Sequence, residues 1–306
     1  MVRHVIFAAL ALLALVVPAF AEGGAEGGLA TLRLSAALSS GGPLLTAGVR
    51  WRIFAAHPEA DGSHSLVLES TIPQPTLSLA PGDYVVHVSF GLASATKSVT
   101  LGGDVRSEQL TMAAGALRIG ATLEGAPLDA SKVSLAIYVP ERNNSEAKLV
   151  YARAKAGEVI GVPEGAYHIV STYLDTVGVG SFGVGKPGGG AAAPVATNSI
   201  VAGDVRVAAG KIVDVTLRHR CATVTLKLVN APNGEALANS TFTVLTPGGD
   251  IIRELIGAFP SLALAEGEYV VVARHDSRTY QSTFPVKSGM DRDIEVIAKD
   301  DPKQGK

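Results

Sequence analysis

Two histidines and two carboxylates fall within eight residues at His57-Pro58-Glu59-Ala60-Asp61-Gly62-Ser63-His64. A hard cation would take Glu59 and Asp61, and zinc would take His57 and His64. The run lies between two β-forming stretches, 49–55 and 66–69, and Asp61-Gly62 is a turn signal, so a solvated hairpin loop accounts for the same residues without a metal. A second candidate is Gly178-Val179-Gly180-Ser181-Phe182-Gly183, which matches the dinucleotide pattern and runs on to Lys186 like a phosphate loop. Pro187 stands where a Ser or Thr should hold magnesium, and Gly188-Gly189-Gly190 follows, so no helix N-terminus can sit beneath a phosphate. A third is His219-Arg220-Cys221, where basic neighbours could lower a thiol pKa. Cys221 is the only cysteine, so it has no redox partner; a linker or strand-edge thiol is the plainer reading. No Gly-x-Ser-x-Gly elbow and no His-Glu-x-x-His helix occurs, and no catalytic, cofactor or metal residue is assigned.

Tyrosines recur with more regularity. Tyr84, Tyr167 and Tyr269 each follow a glycine by two residues, at Gly82, Gly165 and Gly267, and each precedes a Val-rich or Ile-rich run. They could form a ligand-facing aromatic set. A tyrosine just after a turn more simply packs in the corner and bonds its hydroxyl to nearby backbone. Trp51 sits between Arg50 and Arg52 in an alternating strand, so its ring faces away from both and toward a core.

The elements that position these residues form a threefold repeat. Opening strands alternate at Leu32-Arg33-Leu34, Leu117-Arg118-Ile119 and Val224-Thr225-Leu226, and they precede the tyrosines by 52, 50 and 45 residues. A Val-x-x-Gly step follows at Val99–Gly102, Val207–Gly210 and Val286–Gly289. The tyrosine-to-valine distance is 15 residues in the first copy and 17 in the third, but 40 in the second. The excess reads as a Gly-, Ala- and Pro-rich insertion at 177–199. Replacing Asp175–Ser199 with a four-residue turn is expected to cost no more than about 1 kcal/mol, because loop entropy varies slowly with length. Short β-branched runs between Gly, Pro, Asn and Asp turns predict an all-β chain of three tandem antiparallel β-sandwich modules. The expected boundaries are 29–112, 113–219 and 220–299, with a linker at 22–28 and a polar tail at 300–306.

Composition bounds the function. The 306 residues carry 26 Lys+Arg against 28 Asp+Glu, so neither a polybasic nucleic-acid binder nor an acidic tail fits. Aromatics at 5% disfavour a stacking platform for sugars or bases. Arg3 and His4, the apolar run Val5–Val17, Pro18 and Ala19-Phe20-Ala21 follow the order of a secretory signal, with cleavage expected after Ala21. Thirteen apolar residues are too few for a bilayer span, which needs about 20. The mature chain is expected to have no membrane span. One cysteine in an exported chain of this size points to a bacterial periplasm or outer surface. Asn143-Asn144-Ser145 and Asn239-Ser240-Thr241 are then chance matches to the glycosylation pattern.

The Gly-x-Tyr turn before a Val-rich strand resembles the transthyretin-like, or carboxypeptidase regulatory-like, sandwich, and is similar to the B-repeat of bacterial collagen adhesins. That resemblance implies accessory, adhesive or spacer roles rather than catalysis. It also implies a Lys–Asn isopeptide between opening and closing strands. Lys227 lies in the third opening strand, but Asp291–Ala298 holds no Asn and the first opening strand holds no Lys. The function expected is a non-enzymatic, exported binding or spacer module of the envelope, without cofactor and without nucleic acid, whose partner is an envelope protein or polysaccharide. The alternatives are a carbohydrate- or peptidoglycan-binding accessory protein and a periplasmic hydrolase with a site between modules.

Overall fold

The computed structural model describes residues 28–140, 147–175 and 195–299. The signal-like segment, the tail, the phosphate-loop-like run and Asn143 lie outside them. Module 1 comprises β1 (Ala30–Ala37), β2 (Val49–Pro58), β3 (His64–Ser70), β4 (Thr76–Leu79), β5 (Gly82–Phe90), β6 (Ala93–Leu101) and β7 (Val105–Thr111). Module 2 comprises β8 (Ala114–Leu123), β9 (Ala126–Pro127), β10 (Val133–Val139), β11 (Lys148–Ala154), β12 (Val159–Pro163), β13 (Gly165–Asp175), β14 (Val195–Val207) and β15 (Ile212–His219). Module 3 comprises β16 (Cys221–Val229), β17 (Thr241–Leu245), β18 (Ile251–Ile256), β19 (Ser261–Ala265), β20 (Gly267–His275), β21 (Arg278–Val286) and β22 (Arg292–Ile297). Among the described residues no helix is long and apolar enough to cross a membrane.

Each module is a sandwich with the same plan. A three-stranded sheet (β4-β1-β7, β12-β8-β15, β19-β16-β22) faces a four-stranded one (β3-β2-β5-β6, β11-β10-β13-β14, β18-β17-β20-β21). The pairing departs from the purely antiparallel expectation at one place in every module: the opening and closing strands, β1/β7, β8/β15 and β16/β22, run parallel side by side. A parallel pair needs a long crossover, and the intervening strands of the module supply it.

Alternation builds the cores. In β1 the residues Ala30, Leu32, Leu34 and Ala36 point inward and are buried, while Arg33 is exposed. Trp51 is fully buried among Leu32, Ile53, Val86 and Val88, and its indole N–H donates to the Pro73 carbonyl at 3.3 Å. The cores of modules 2 and 3 are built alike, around Leu117, Ile119, Leu135 and Ile169 and around Leu226, Leu228, Phe242 and Val271.

The repeated tyrosines make corners. The hydroxyls of Tyr84, Tyr167 and Tyr269 donate to the carbonyls of Ala80, Pro163 and Ala265, each four residues earlier, at 2.8, 2.7 and 2.8 Å. Their rings lie over the preceding glycine: a Cβ placed on Gly82, Gly165 or Gly267 would meet the tyrosine Cε2 at 3.9, 3.9 or 3.8 Å. The corner reading of the tyrosines therefore holds in all three copies.

Candidate functional site

The most elaborate polar architecture lies where modules meet. Both joints follow one rule when positions are counted from the corner tyrosine. One module donates the far end of its tyrosine strand or the turn after it, and the next module accepts it on the edge strand of its smaller sheet. The hydrogen bond runs toward the edge strand at the first joint and from it at the second. At the first joint Leu92, eight residues after Tyr84, donates its N–H to the carbonyl of Gly161, six residues before Tyr167, at 2.7 Å. At the second joint Asp175, eight residues after Tyr167, accepts from the N–H of Ala263, six residues before Tyr269, at 3.1 Å. Gly161 and Ala263 sit at the same place on β12 and β19. Both strands are sheet edges whose outward backbone groups need a partner.

A second contact repeats beside the first. Gly210 and Gly289 close the Val-x-x-Gly steps and have φ of 74° and 69°. Their N–H groups bond within the module to Ala114 O and Cys221 O, at 2.8 and 3.0 Å. Each glycine abuts the turn after the preceding module's opening strand. A Cβ on Gly210 would collide with Ser39 Oγ, and one on Gly289 would fall 2.7 Å from Glu124 Cγ. Ser288 Oγ donates to Glu124 at the second joint.

The two joints differ in chemistry. The first is backbone and ring: Phe90 packs so closely on Gly161 that a Cβ there would strike both its ring and its carbonyl. The second is charged. Asp175 is buried and accepts from Arg253 Nη1 at 3.0 Å, and Arg253 Nη2 donates to Ala196 O at 3.0 Å. Asn198 Oδ1 accepts from Ala265 N at 2.9 Å, while its Nδ2 donates to the Tyr269 hydroxyl at 2.9 Å. A cleft of about 310 Å³ remains between β14, β18 and β19, lined by Ala196, Asn198, Ile251, Arg253 and Ala263 among others.

Behind this joint lies a buried polar cluster. His219 Nε2 is 2.8 Å from Ser171 Oγ and its Nδ1 is 2.9 Å from Ser199 Oγ. A serine beside a histidine is the arrangement of acyl transfer. Here both ring nitrogens are taken by hydroxyls, and Ser171, Ser199 and His219 are 0%, 3% and 2% exposed, so no substrate reaches them. Burial holds His219 below the usual histidine range, which keeps it neutral and suited to clamp β15 against β13 and β14. Thr197 Oγ1 donates to Tyr173 O at 2.9 Å and accepts from Ser199 N at 3.1 Å, which fixes the strand ends.

Two sequence expectations change here. The insertion at 177–199 is not all loop: Val195–Ser199 belong to β14 and pair with β13 down to Asp175↔Val195. Residues 176–194 lie outside the described residues. The expectation that Asp175–Ser199 is dispensable fails, since the segment contains Asp175, Thr197, Asn198 and Ser199. Cys221 is neither a reactive thiol nor an edge residue. It is buried at the start of β16, the middle strand of its sheet, and burial pushes its thiol up despite a hydrogen bond from Ser199. Arg220 is instead engaged with Glu266, Nε to Oε2 at 2.5 Å.

The remaining candidates fall into place. His57, Glu59, Asp61 and His64 lie on the β2–β3 hairpin, and Glu59, Asp61 and His64 bond within it. Asp61 Oδ1 accepts from Ser63 N and Oγ at 2.9 and 2.6 Å, Glu59 accepts from Ser65 Oγ, and His64 Nδ1 is 2.8 Å from Ala55 O. These bonds hold the Asp61 carboxyl below its ordinary value. Among the described residues no group of three or more His, Cys, Asp or Glu is disposed to hold a metal. Lys227 and Glu295 are directly opposed on the parallel pair β16/β22, with Nζ–Oε1 at 3.1 Å and Asp293 Oδ2 at 3.5 Å. An acid thus stands on the closing strand opposite the lysine. The joints themselves were missed in the sequence. The signal for them was the pair of repeated marks, Gly-x-Tyr and Val-x-x-Gly, which flank both acceptor contacts.

Comparison with known proteins gives a repeat family for one module. Residues 223–298 match the model of the Rhizobiales growth-associated tandem repeat domain. The curated proteins contain no match. Among solved structures, the streptococcal ancillary pilin is 13% identical over 89% of this chain and 100% of its own, with a TM-score of 0.29. The minor pilin GBS52 of Streptococcus agalactiae is 14% identical over 62% of this chain and 98% of its own, with a TM-score of 0.31. The Bacillus anthracis TIE protein is 16% identical over 89% of this chain, with a TM-score of 0.25, and this chain spans 50% of its length.

Proposed function

We propose that the chain is an exported, non-enzymatic array of transthyretin-like β-sandwich modules, with boundaries at 29–112, 113–219 and 220–299, that serves as a spacer or binding module of a bacterial envelope. The observation that carries this reading is the pair of joints made at equivalent positions. They set successive modules at a defined separation, which is the property a spacer needs. The hydroxyl-to-carbonyl tyrosine corners support the transthyretin-like reading of the modules. The match of residues 223–298 to a growth-associated tandem repeat supports a bacterial setting. The partner is an envelope protein or polysaccharide.

Fractionation of an expressing bacterium tests this. The mature chain is expected in the envelope fractions with Glu22 as its first residue; a cytoplasmic chain that retains Met1 overturns the export reading. Co-sedimentation with purified peptidoglycan separates the polysaccharide partner from the protein one. Retention that free glycan competes away selects the former.

A further inference from the structure

The joint rule leaves two ends unmatched among the described residues. At the donor end, eight residues after Tyr269, stands Ser277 on the β20–β21 tip. At the acceptor end, six residues before Tyr84, stands Ser78 on β4. The second contact has matching orphans. Leu101 pairs with Gly82 as Val207 and Val286 pair with Gly165 and Gly267, so Asp104 holds the place of Gly210 and Gly289, and Ala231, in the turn after β16, holds that of Ser39 and Glu124. We propose that these ends meet between copies: the β20–β21 tip of one chain docks on β4 of another, so that the protein self-associates head to tail by the joint it already makes twice internally.

Several features of module 1 fit an acceptor. β4 is a sheet edge, as β12 and β19 are, and Ser78 is exposed between buried Leu77 and Leu79. By its equivalence to Gly161 and Ala263, Ser78 turns its backbone groups away from β1. Asp104, at the place of Gly210 and Gly289, is exposed, so the position that a neighbouring turn covers at those glycines is uncovered here. Beside β4, Leu66 and Val67 of β3 are 53% and 47% exposed and Ile72 is 61% exposed. Leu66 corresponds in strand register to Ile251, which lines the cleft of the second joint. An apolar group next to an open edge marks a surface built for contact.

The donor end is equally specific. Asp276 and Ser277 have φ of 45° and 66°, a two-residue turn that projects both side chains from the tip. His275 occupies the place of Phe90 and Tyr173, six residues after the tyrosine. Its Nδ1 is buried without a partner. The occupant of β4 is a second copy because both internal joints need two features from the same preceding module, the far end of a tyrosine strand or its turn and an opening-strand turn. A single extended segment supplies only one of them. Such a contact joins different surfaces of two copies, so it propagates unless the rotation closes a ring.

Cysteine pairing in the full chain tests the proposal. Ser78→Cys and Ser277→Cys are made separately and together, with the native chain, whose Cys221 is buried, as control. Under mild oxidation the double variant is expected to give a ladder of dimers and trimers, and a mixture of the single variants a mixed dimer. Like-with-like dimers formed as readily as mixed ones, or no cross-link, overturn it. Asp104→Arg puts a longer side chain of opposite charge at that exposed position, so it is expected to leave the melting temperature unchanged while weakening concentration-dependent sedimentation at least tenfold. An unchanged sedimentation profile counts against the second contact and the proposal with it.

Discussion

The two joints occupy the same positions of the fold yet hold together by different means. At the first, a hairpin tip gives a backbone N–H to Gly161 and a phenyl ring lies flush on that glycine. At the second, β13 and β14 run longer, and Asp175 and Asn198 reach across to Ala263, Ala265, Arg253 and Tyr269. A glycine joint depends on close approach and tolerates no added atom. A charged joint depends on satisfied polar groups and tolerates no missing one. Location follows from topology, because an edge strand must be covered and the preceding hairpin is the element within reach. The chemistry at that location is free to vary.

The largest expected effect is therefore on the second joint. Asp175→Ala leaves Arg253 and the Ala263 N–H without their shared acceptor and is expected to cost about 3 kcal/mol in urea unfolding. A loss below 1 kcal/mol would show that water replaces the carboxylate. Next, Gly161→Ala forces a methyl group into Phe90 and is expected to cost about 2 kcal/mol, or to part modules 1 and 2, seen as new protease cleavage near residue 112. The same step at the equivalent site of module 3 has already been taken, since Ala263 is native there, so the contrast isolates the close approach. Third, Tyr84→Phe removes one hydroxyl bond, for about 1 kcal/mol. Tyr269→Phe removes that bond and the one from Asn198, and so is expected to cost more; equal losses would uncouple the corner from the joint.

The smallest effect is one of pH. His219 is held neutral when folded, while the unfolded chain binds a proton below about pH 6.5. Because its folded pKa is depressed, its contribution is fully present above that value and is lost as pH falls from there toward the folded pKa. Stability should drop between pH 7.5 and 5 more steeply in the native chain than in His219→Asn. His87 in module 1, also lowered by burial, is common to both chains and cancels in that comparison. Parallel slopes would remove His219 from the account.

Much of the fold was legible. Period-two alternation marked the opening strands and placed Trp51 inward. A Gly-x-Tyr turn marked the corner, where the ring folds back beside the glycine and its hydroxyl reaches the carbonyl four residues earlier. The β2–β3 hairpin was readable from Asp61-Gly62. The second module misled for a physical reason: a Gly- and Pro-rich stretch has no alternation to read, so Val195–Ser199 were assigned to loop with their neighbours. Only pairing with Leu174 and Asp175 makes them strand. Cys221 misled in the same manner, since flanking His and Arg suggest a basic site, whereas the fold buries the thiol and directs Arg220 to Glu266.

The sequence alone determined the all-β class, the threefold repeat and the inward set of each strand, because these depend on local backbone preference and side-chain periodicity. Tertiary structure decided three further things. Opening and closing strands became parallel neighbours, Ser171, Ser199 and His219 came together from three strands, and Asp175 found its partners 78 and 88 residues away. Contacts of that kind carry no local signal. Which buried acid meets which arginine is settled only when an edge strand is covered and its polar groups must be satisfied.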